Sequence, residues 1–355
     1  MRNITIATLG GHSALEICLG AKKRNFKTLI IAEKGREKTY AKYYKKLFDE
    51  IIIVDKFHDL TDPKFINLLK EKNSIFIPHR YCQVYCDLDQ LENNFPVPIF
   101  GNKHLLKYEE REGKINQYQI LKKAQVEFPR QFSTPKEIDR LVIVKVKEAA
   151  RGYERAFFFA ANFQDYQKKE EELVKQGKIT EKALQEAVIE EYLVGTQINF
   201  NFFYSPLNNS LELLGTDARR QTNLDGYIRL PAAEQLKIAQ YLNPSYIETG
   251  HFAVTVKESL LEKAYEAAEK VIACLKTMVP PGMIGPFALQ SAIIPGPPKE
   301  KLIVYDLSLR MPGSPGISFT PYSQYLFGKS VSFGERIAME IERAIKENKV
   351  NEVTT

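Results

Sequence analysis

Several strand ends in this 355-residue chain carry the residue types that handle phosphate, metal and carboxylate. Gly10-Gly11-His12-Ser13 closes the apolar run Ile4–Leu9 and opens a helical pattern running from Ser13 to Lys23. Backbone N–H groups at such a turn, with a helix dipole behind them, favour an anion. A tight turn merely capped by Ser13 would read the same way. Pro78-His79-Arg80-Tyr81 is a second turn of this kind, after the run that begins at Ser74. On neighbouring strands the two turns would line one phosphate pocket, with His12 and Arg80 as donors.

Lys145 ends the apolar run Leu141–Val144, and a lysine there is costly to desolvate unless it meets an anion or a carboxylate. Arg151 and Arg155 follow in a charged loop that could close over a triphosphate or stand as a solvated turn. Glu190-Glu191-Tyr192-Leu193 suits a hinge that bonds adenine through its backbone and ribose through a carboxylate, although paired glutamates are common. Near the end of the chain, Pro286–Gln290 and Val304–Arg310 read as adjacent strands. Asp306, Ser308 and Arg310 alternate with apolar residues and share one face. Beside Gln290 they could hold Mg²⁺ and a γ-phosphate together. A surface ion pair is the plainer alternative, and the depth of Asp306 within an apolar run argues against it.

The elements that must position these residues follow from periodicity. Over the first hundred residues, short apolar runs (4–9, 28–32, 51–54, 74–78, 97–100) alternate with helical patterns, including Pro63–Glu71. That alternation predicts a parallel, doubly wound sheet, whose ligands sit beyond the carboxyl ends of the strands. A second unit begins near Lys103, with a helix over 114–125, a hairpin from 141–146 and 154–161, a long helical region over 165–187 and a strand over 188–194. The remainder is β-rich (198–204, 211–215, 253–256, 284–294 and 302–309), with helices at 257–276 and 335–348. The fold expected is therefore α/β followed by α+β, in units 1–102, 103–195 and 196–355.

Composition narrows the function. Fifty basic against 44 acidic residues leave a formal charge of +6 with no Lys/Arg block, which suits small phosphorylated ligands at least as well as nucleic acid. The apolar runs are strand-length, far short of a membrane span. The strand pattern starts at residue 4, so a cytoplasmic protein without a signal peptide is expected. Cys82 and Cys86 have no second Cys/His pair at zinc-site spacing and read, like Cys18 and Cys274, as ordinary thiols.

Taken in order, the Gly–His–Ser turn, the Val-Ile-Val-Lys strand, the Glu-Tyr hinge, Gly285-Pro286-Phe287, the Asp-x-Ser-x-Arg strand and Arg336-Ile-Ala-Met-Glu-Ile form a pattern. With Phe203-Tyr204-Ser205 and Ile228-Arg-Leu-Pro-Ala232, it resembles the archaeal formate-dependent formaminoimidazole-carboxamide ribonucleotide synthetase family, within the ATP-grasp superfamily, over essentially the whole chain. The resemblance implies an ATP-grasp fold behind an N-terminal parallel-sheet domain. It also implies an enzyme that phosphorylates formate and then formylates an aminoimidazole amine. ATP would be held by Lys145, Arg151, Arg155, Glu190, Glu191, Leu193 and Gln221, and Mg²⁺ or Mn²⁺ by Gln290 and Asp306. Arg310 and Asp306 would serve catalysis, and His12, Ser13, Arg80, Tyr81, Asn223 and His251 the ribonucleotide. A homo-oligomer taking a ribonucleotide and formate, or a similar small carboxylate, is implied.

The chain departs from the pattern at named places. Only Gly152 remains of a glycine-rich phosphate loop, and Gln119 stands for a lysine. Arg80-Tyr81 stands for Gly-Ser, Gln221-Thr-Asn223 for Glu-Ser-Asn, Gly250-His251 for Gly-Asn and Asp306 for Glu. Tyr81 and His251 leave open a paralogue that ligates another acid or amine. The missing glycines and Gln119 leave open a nucleotide-binding protein without catalysis.

Overall fold

The computed structural model describes residues 4–109, 115–146, 157–239, 241–242 and 247–355. Its first sheet is parallel, with β1 (Thr5–Leu9), β2 (Lys27–Glu33), β3 (Glu50–Val54) and β4 (Ser74–Phe76) in the order β3-β2-β1-β4. β1 is buried along its whole length, as a sheet covered on both faces requires. Helices α1 (Ala14–Lys23) and α2 (Pro63–Glu71) make crossovers, and α3 (Arg80–Tyr85) and α4 (Leu88–Asn93) follow β4. The run 97–100, expected as a strand, makes only single bridges, Phe76 to Ile99 and Phe100 to Thr354. Pro96 and Pro98 remove the N–H groups that a longer ladder needs.

After α5 (Gln117–Lys123) comes a small antiparallel sheet, ordered β5 (Gln131–Phe132), β8 (Val188–Glu191), β6 (Val142–Lys145) and β7 (Phe157–Ala160). The helical region expected over 165–187 is two helices, α6 (Phe163–Lys175) and α7 (Glu181–Gln185). Gly177, at φ +64, ends the first by the left-handed turn that glycine favours. Ile179 can then drop into the core of this lobe beside Phe158 and Tyr166.

The third sheet is antiparallel and runs β11 (Glu248–Ala253), β10 (Ser210–Gln221), β9 (Thr196–Ser205), β12 (Gly285–Ile294), β13 (Lys301–Ser308). β10 outruns the expected 211–215 because its polar second half pairs with β11. β11 itself lies before the expected 253–256, in a polar stretch without apolar alternation. Two short helices, α8 (Leu224–Tyr227) and α9 (Ala232–Ile238), lie between β10 and β11. The long α10 (Glu258–Met278) covers one face of the sheet, and Ala268, Val271 and Leu275 pack with Phe200, Phe202 and Phe287. Ile120 and Leu121 of α5 join this core, so α5 serves the large sheet although it precedes the small one.

Helices α11 (Tyr322–Phe327), α12 (Phe333–Lys346) and α13 (Val350–Val353) end the chain. α12 returns to the N-terminal sheet, placing Phe333, Ile337 and Ile341 among Ile6, Ile17 and Ile75, with Phe203 and Leu214 of the large sheet. The backbones of α1 and α12 touch at Gly20 and Gly334, where a Cβ on Gly20 would lie 2.0 Å from the Gly334 carbonyl carbon. N-terminal sheet and large lobe therefore share one core. Among the described residues no helix is long and apolar enough to cross a membrane.

Candidate functional site

β1 and β4 are parallel neighbours, so the two N-terminal turns lie side by side. His79 is fully buried, with Nε2 at 2.9 Å from the Leu9 carbonyl. A carbonyl only accepts, so Nε2 carries the proton and Nδ1 accepts from the Tyr81 N–H at 3.2 Å. Burial holds His79 down to about 4, against the pull of the Leu9 bond and with help from nearby Arg310. Its neutral ring stacks on His12, centroids 5.8 Å apart and planes 13° apart.

His12 sits at φ +46, in the left-handed turn that starts α1. Ser13 makes no side-chain cap; its hydroxyl donates instead to the Pro312 carbonyl at 2.9 Å. The single hydroxyl proton is thereby committed, and the 2.9 Å contact from His12 Nδ1 to Ser13 Oγ is a donation from the imidazole, so the neutral ring has no second N–H for the phosphate donation expected from the sequence. Burial, then Arg310, His79, Arg80 and His251, keep His12 well below ordinary imidazole basicity, although the residue still has surface in contact with solvent. Tyr81 lies over Gly11, where a Cβ would come within 2.0 Å of its ring. Arg80 faces Gln83 Oε1 at 3.4 Å and Glu109 Oε1 at 3.8 Å.

The large sheet turns a polar line toward these turns. Asp217, Asn199, Gln290 and Asp306 are successive cross-strand partners through β10, β9, β12 and β13, and neighbours across a ladder share a face. A bulge opposite Gln290 and Ser291 changes the parity of β13. Leu302 and Val304 before it, and Leu307 and Leu309 after it, all face the core, leaving Asp306, Ser308 and Arg310 on the opposite side. The alternation expected for those three residues thus survives, with Asp306 only 6% exposed.

Partners fix each group. Asp217 accepts from Asn199 Nδ2 at 2.8 Å, from Asn201 Nδ2 at 2.6 Å and from His251. The other His251 nitrogen donates to Glu248 Oε1 at 2.8 Å. Burial opposes charge on His251, but these two carboxylates push it up to about 9, so it is a fixed cation at neutral pH. Arg219 donates to Gln290 Oε1 and faces Glu248 Oε2 at 3.2 Å, and Gln290 Nε2 donates to Ser308 at 3.0 Å. Arg310 bonds Glu109 Oε1 at 2.8 Å and Gln83 Oε1 at 3.2 Å, and Glu109 Oε2 takes the Leu309 N–H at 3.1 Å.

The segment after β13 joins the two halves. Met311 bridges to His79, Pro312 receives Ser13, Gly313 lies against the His12 ring, and Ser314 reaches His251 at 3.5 Å. Arg310, the N-terminal turns and the polar line therefore meet at one junction between lobes.

On the small sheet, Lys145 is ion-paired with Glu190, whose other oxygen accepts from the Tyr118 hydroxyl at 2.7 Å. Glu190 is 2% exposed and committed inside its lobe, where it aims the lysine. Glu191 pairs with Arg140 at 3.3 Å, and Leu193 is buried after β8. Gln221 ends β10, with its N–H 3.4 Å from Asp225 Oδ1, and Asn223 follows at φ +42. Arg151 and Arg155 lie outside the described residues.

Asp306 and Gln290, opposite one another in the ladder, offer hard oxygen donors of the kind Mg²⁺ takes, with Arg219 donating to the same Gln290 oxygen that a metal would use. These oxygen donors would suit a divalent metal, which would supply charge stabilisation for phosphoryl transfer. Sequence reading passed over Asn199, Asn201, Asp217, Arg219, Glu109 and Glu248. Asn199-x-Asn201 and Asp217-x-Arg219 did carry a signal, since polar residues two apart on a buried strand share a face.

A family model described as a protein of unknown function (DUF1246) matches residues 6–132, and one described as a domain of unknown function (DUF1297) matches residues 165–355. The 5-formaminoimidazole-4-carboxamide-1-(beta)-D-ribofuranosyl 5'-monophosphate synthetase of Methanocaldococcus jannaschii is 41% identical over 355 residues, covering 99% of this chain and 94% of the relative. That of Methanothermobacter thermautotrophicus is 37% identical, with 99% and 95% covered. Among solved structures, an IMP biosynthesis protein PurP from Thermococcus kodakaraensis superposes with TM-score 0.74 at 25% identity, over 99% of this chain and 100% of that one. N5-carboxyaminoimidazole synthetase from Staphylococcus aureus, complexed with ADP, shares the fold at TM-score 0.58 and 16% identity, over 92% and 78%. The chain has the ATP-grasp fold and belongs to the 5-formaminoimidazole-4-carboxamide ribonucleotide synthetase family.

Proposed function

We propose that the chain is an ATP-dependent carbon–nitrogen ligase. It activates formate as formyl phosphate and transfers the formyl group to the amine of 5-aminoimidazole-4-carboxamide ribonucleotide, releasing ADP and phosphate. The observation that carries this reading is the position of Arg310. It ends the Asp306–Ser308 strand face and lies among the N-terminal turns, so phosphoryl chemistry and the acceptor pocket adjoin. Full-length similarity to synthetases of that name supports it.

Formate is a poor acyl donor until phosphate replaces its oxide as leaving group. A divalent cation, Mg²⁺ or Mn²⁺, held by Asp306 and Gln290 would spread the charge that develops on the transferred phosphoryl group. Lys145, aimed by Glu190, holds the nucleotide phosphates, together with Arg151 and Arg155. The hinge at Glu191 and Leu193 frames adenosine, and Gln221 completes the ATP contacts. Arg310, pre-set by Glu109 and Gln83, steadies phosphate without reorganising in the transition state. His12, Arg80, Tyr81, Asn223 and His251 receive the ribonucleotide, with Ser13, its hydroxyl held between His12 and Pro312, fixing the His12 ring. The enzyme works in the cytoplasm as a homo-oligomer on these small molecules.

ADP release measured with formate and the ribonucleotide, followed by product mass, tests the reading. ADP release without a formylated product would sink it. One observation favours a second acid or acceptor: Tyr81 covers the Gly11 turn, and His251 is a fixed cation in the acceptor pocket. ADP release that responds to a different carboxylate, with the matching product mass, would establish that paralogue instead.

A further inference from the structure

We infer that His12 is the general base of the acyl-transfer step, its Nε2 taking the proton that the acceptor's ring amine sheds as it attacks the activated formyl carbon. This rests on the ligase reading above. The lone pair of an amine on an aromatic ring is delocalised, and its conjugate acid is strong. As the N–C bond forms, the nitrogen becomes cationic, and the adduct collapses forward once a nearby base takes its proton. The C–O bond to phosphate then breaks, its electron pair leaves with inorganic phosphate, and the proton resides on His12 until solvent removes it. No oxidant, reductant or further reactant is needed.

The tautomer makes His12 suitable. Ser13 gives its only proton to Pro312, so it takes the Nδ1–H of His12 and leaves Nε2 as the bare nitrogen. Among the described residues nothing donates to that nitrogen, and His12 as a residue is exposed to solvent. Gly313 passes so close that a Cβ there would lie 2.5 Å from Nε2 and 2.4 Å from Cε1, a wall only glycine can form.

The other two histidines of the site and the carboxylates Glu109, Asp217 and Glu248 are already spent. Both His79 nitrogens are bonded, to Leu9 and Tyr81. Both His251 nitrogens donate to carboxylates. Each oxygen of Glu109, Asp217 and Glu248 is held by an arginine, histidine, asparagine or backbone N–H. Arg310 just after β13, His79 and Arg80 at α3 and His251 from β11 all oppose a proton on His12, beyond the effect of burial, so the imidazole stays a free base at neutral pH.

The test separates the two chemical steps. Formate-dependent scrambling of ¹⁸O between the bridge and non-bridge positions of ATP, without acceptor, reports activation alone. In His12→Gln that exchange should persist. The turnover number for formylated product should fall about a hundredfold or more, the scale of general-base catalysis. The acid limb of the pH profile should vanish with it, and added imidazole should restore product formation in His12→Ala. Gly313→Ala, which presses on Nε2 without removing the ring, should slow the same step. A normal turnover number with only a raised KM would make His12 a binding residue and overturn the proposal. So would loss of exchange together with product, or a Gly313→Ala enzyme of wild-type rate. Absence of formate-dependent exchange in the wild type would overturn the ligase reading itself, and the proposal with it.

Discussion

Arg219 donates to the amide oxygen of Gln290 while its Nε faces Glu248 at 3.2 Å, so a fixed cation lies against one of the two oxygen donors proposed for metal. Metal and guanidinium then compete for the same carbonyl. Arg219→Met should lower the Mg²⁺ concentration for half-maximal ADP release by about tenfold, equivalent to about 1.4 kcal/mol of competition. A metal titration of wild type and variant measures this. An unchanged or raised requirement would show that Arg219 does not occupy the metal's place.

Lys145 is held by Glu190, which Tyr118 holds in turn. The chain from α5 through β8 to β6 fixes one ammonium, 12% exposed, which we propose contacts the nucleotide. Lys145→Ala should weaken ATP binding by on the order of 1.5–3 kcal/mol, the range for hydrogen bonds to charged groups. Calorimetric titration of the folded variant decides it, and unchanged affinity would remove Lys145 from the nucleotide site.

Asp306 brings the only carboxylate of the proposed metal pair. Asp306→Asn keeps the shape but exchanges one carboxylate oxygen for an NH2 donor and leaves a neutral amide oxygen, which a hard cation binds less strongly. Metal-dependent turnover should vanish while the urea unfolding midpoint stays within experimental error. Wild-type turnover at the same Mg²⁺ concentration would cancel the assignment.

These residues also show what the sequence could and could not reveal. Asp306, Ser308 and Arg310 were legible because alternation within an apolar strand leaves little choice of face. The pairing of the two N-terminal turns was legible for a related reason, as short apolar runs separated by helices imply a parallel sheet. The polar line Asp217–Asn199–Gln290–Asp306 was not legible, because it exists only through strand register. Glu109 was hidden too, lying 201 residues from the Arg310 it bonds. His12 and Ser13 drew notice as an anion turn, but Ser13's partner, Pro312, lies 299 residues away, and the tautomer of His12 follows from that bond alone. Boundaries failed where polar pairing extends a strand, as in β10 and β11, or where one glycine splits a helix at residue 177.

The stability of the core shared by α1 and α12 should depend on pH through Glu16. Its carboxylate is buried, and one oxygen accepts the Phe333 N–H at 3.0 Å, at the start of α12. Burial raises its pKa to about 7 from an ordinary 4.5, although bonds from Phe333 and Gly334 pull the other way. A folded-state pKa above the unfolded one means that the protonated form is favoured by folding. The contribution is therefore fully present below pH 4.5 and is lost as pH rises through 7. Glu16→Gln keeps the acceptor for Phe333 and removes the charge. At pH 8 the variant should be more stable than wild type by on the order of 1–3 kcal/mol, with the gap closing toward pH 4.5. Comparing variant with wild type at each pH cancels the opposite slope from His79, which is neutral in the fold and must accept a proton as pH falls toward 4. Urea unfolding across that range measures the difference. A constant offset, or a variant that loses its advantage as pH rises, would show that Glu16 is not the group that titrates between α1 and α12.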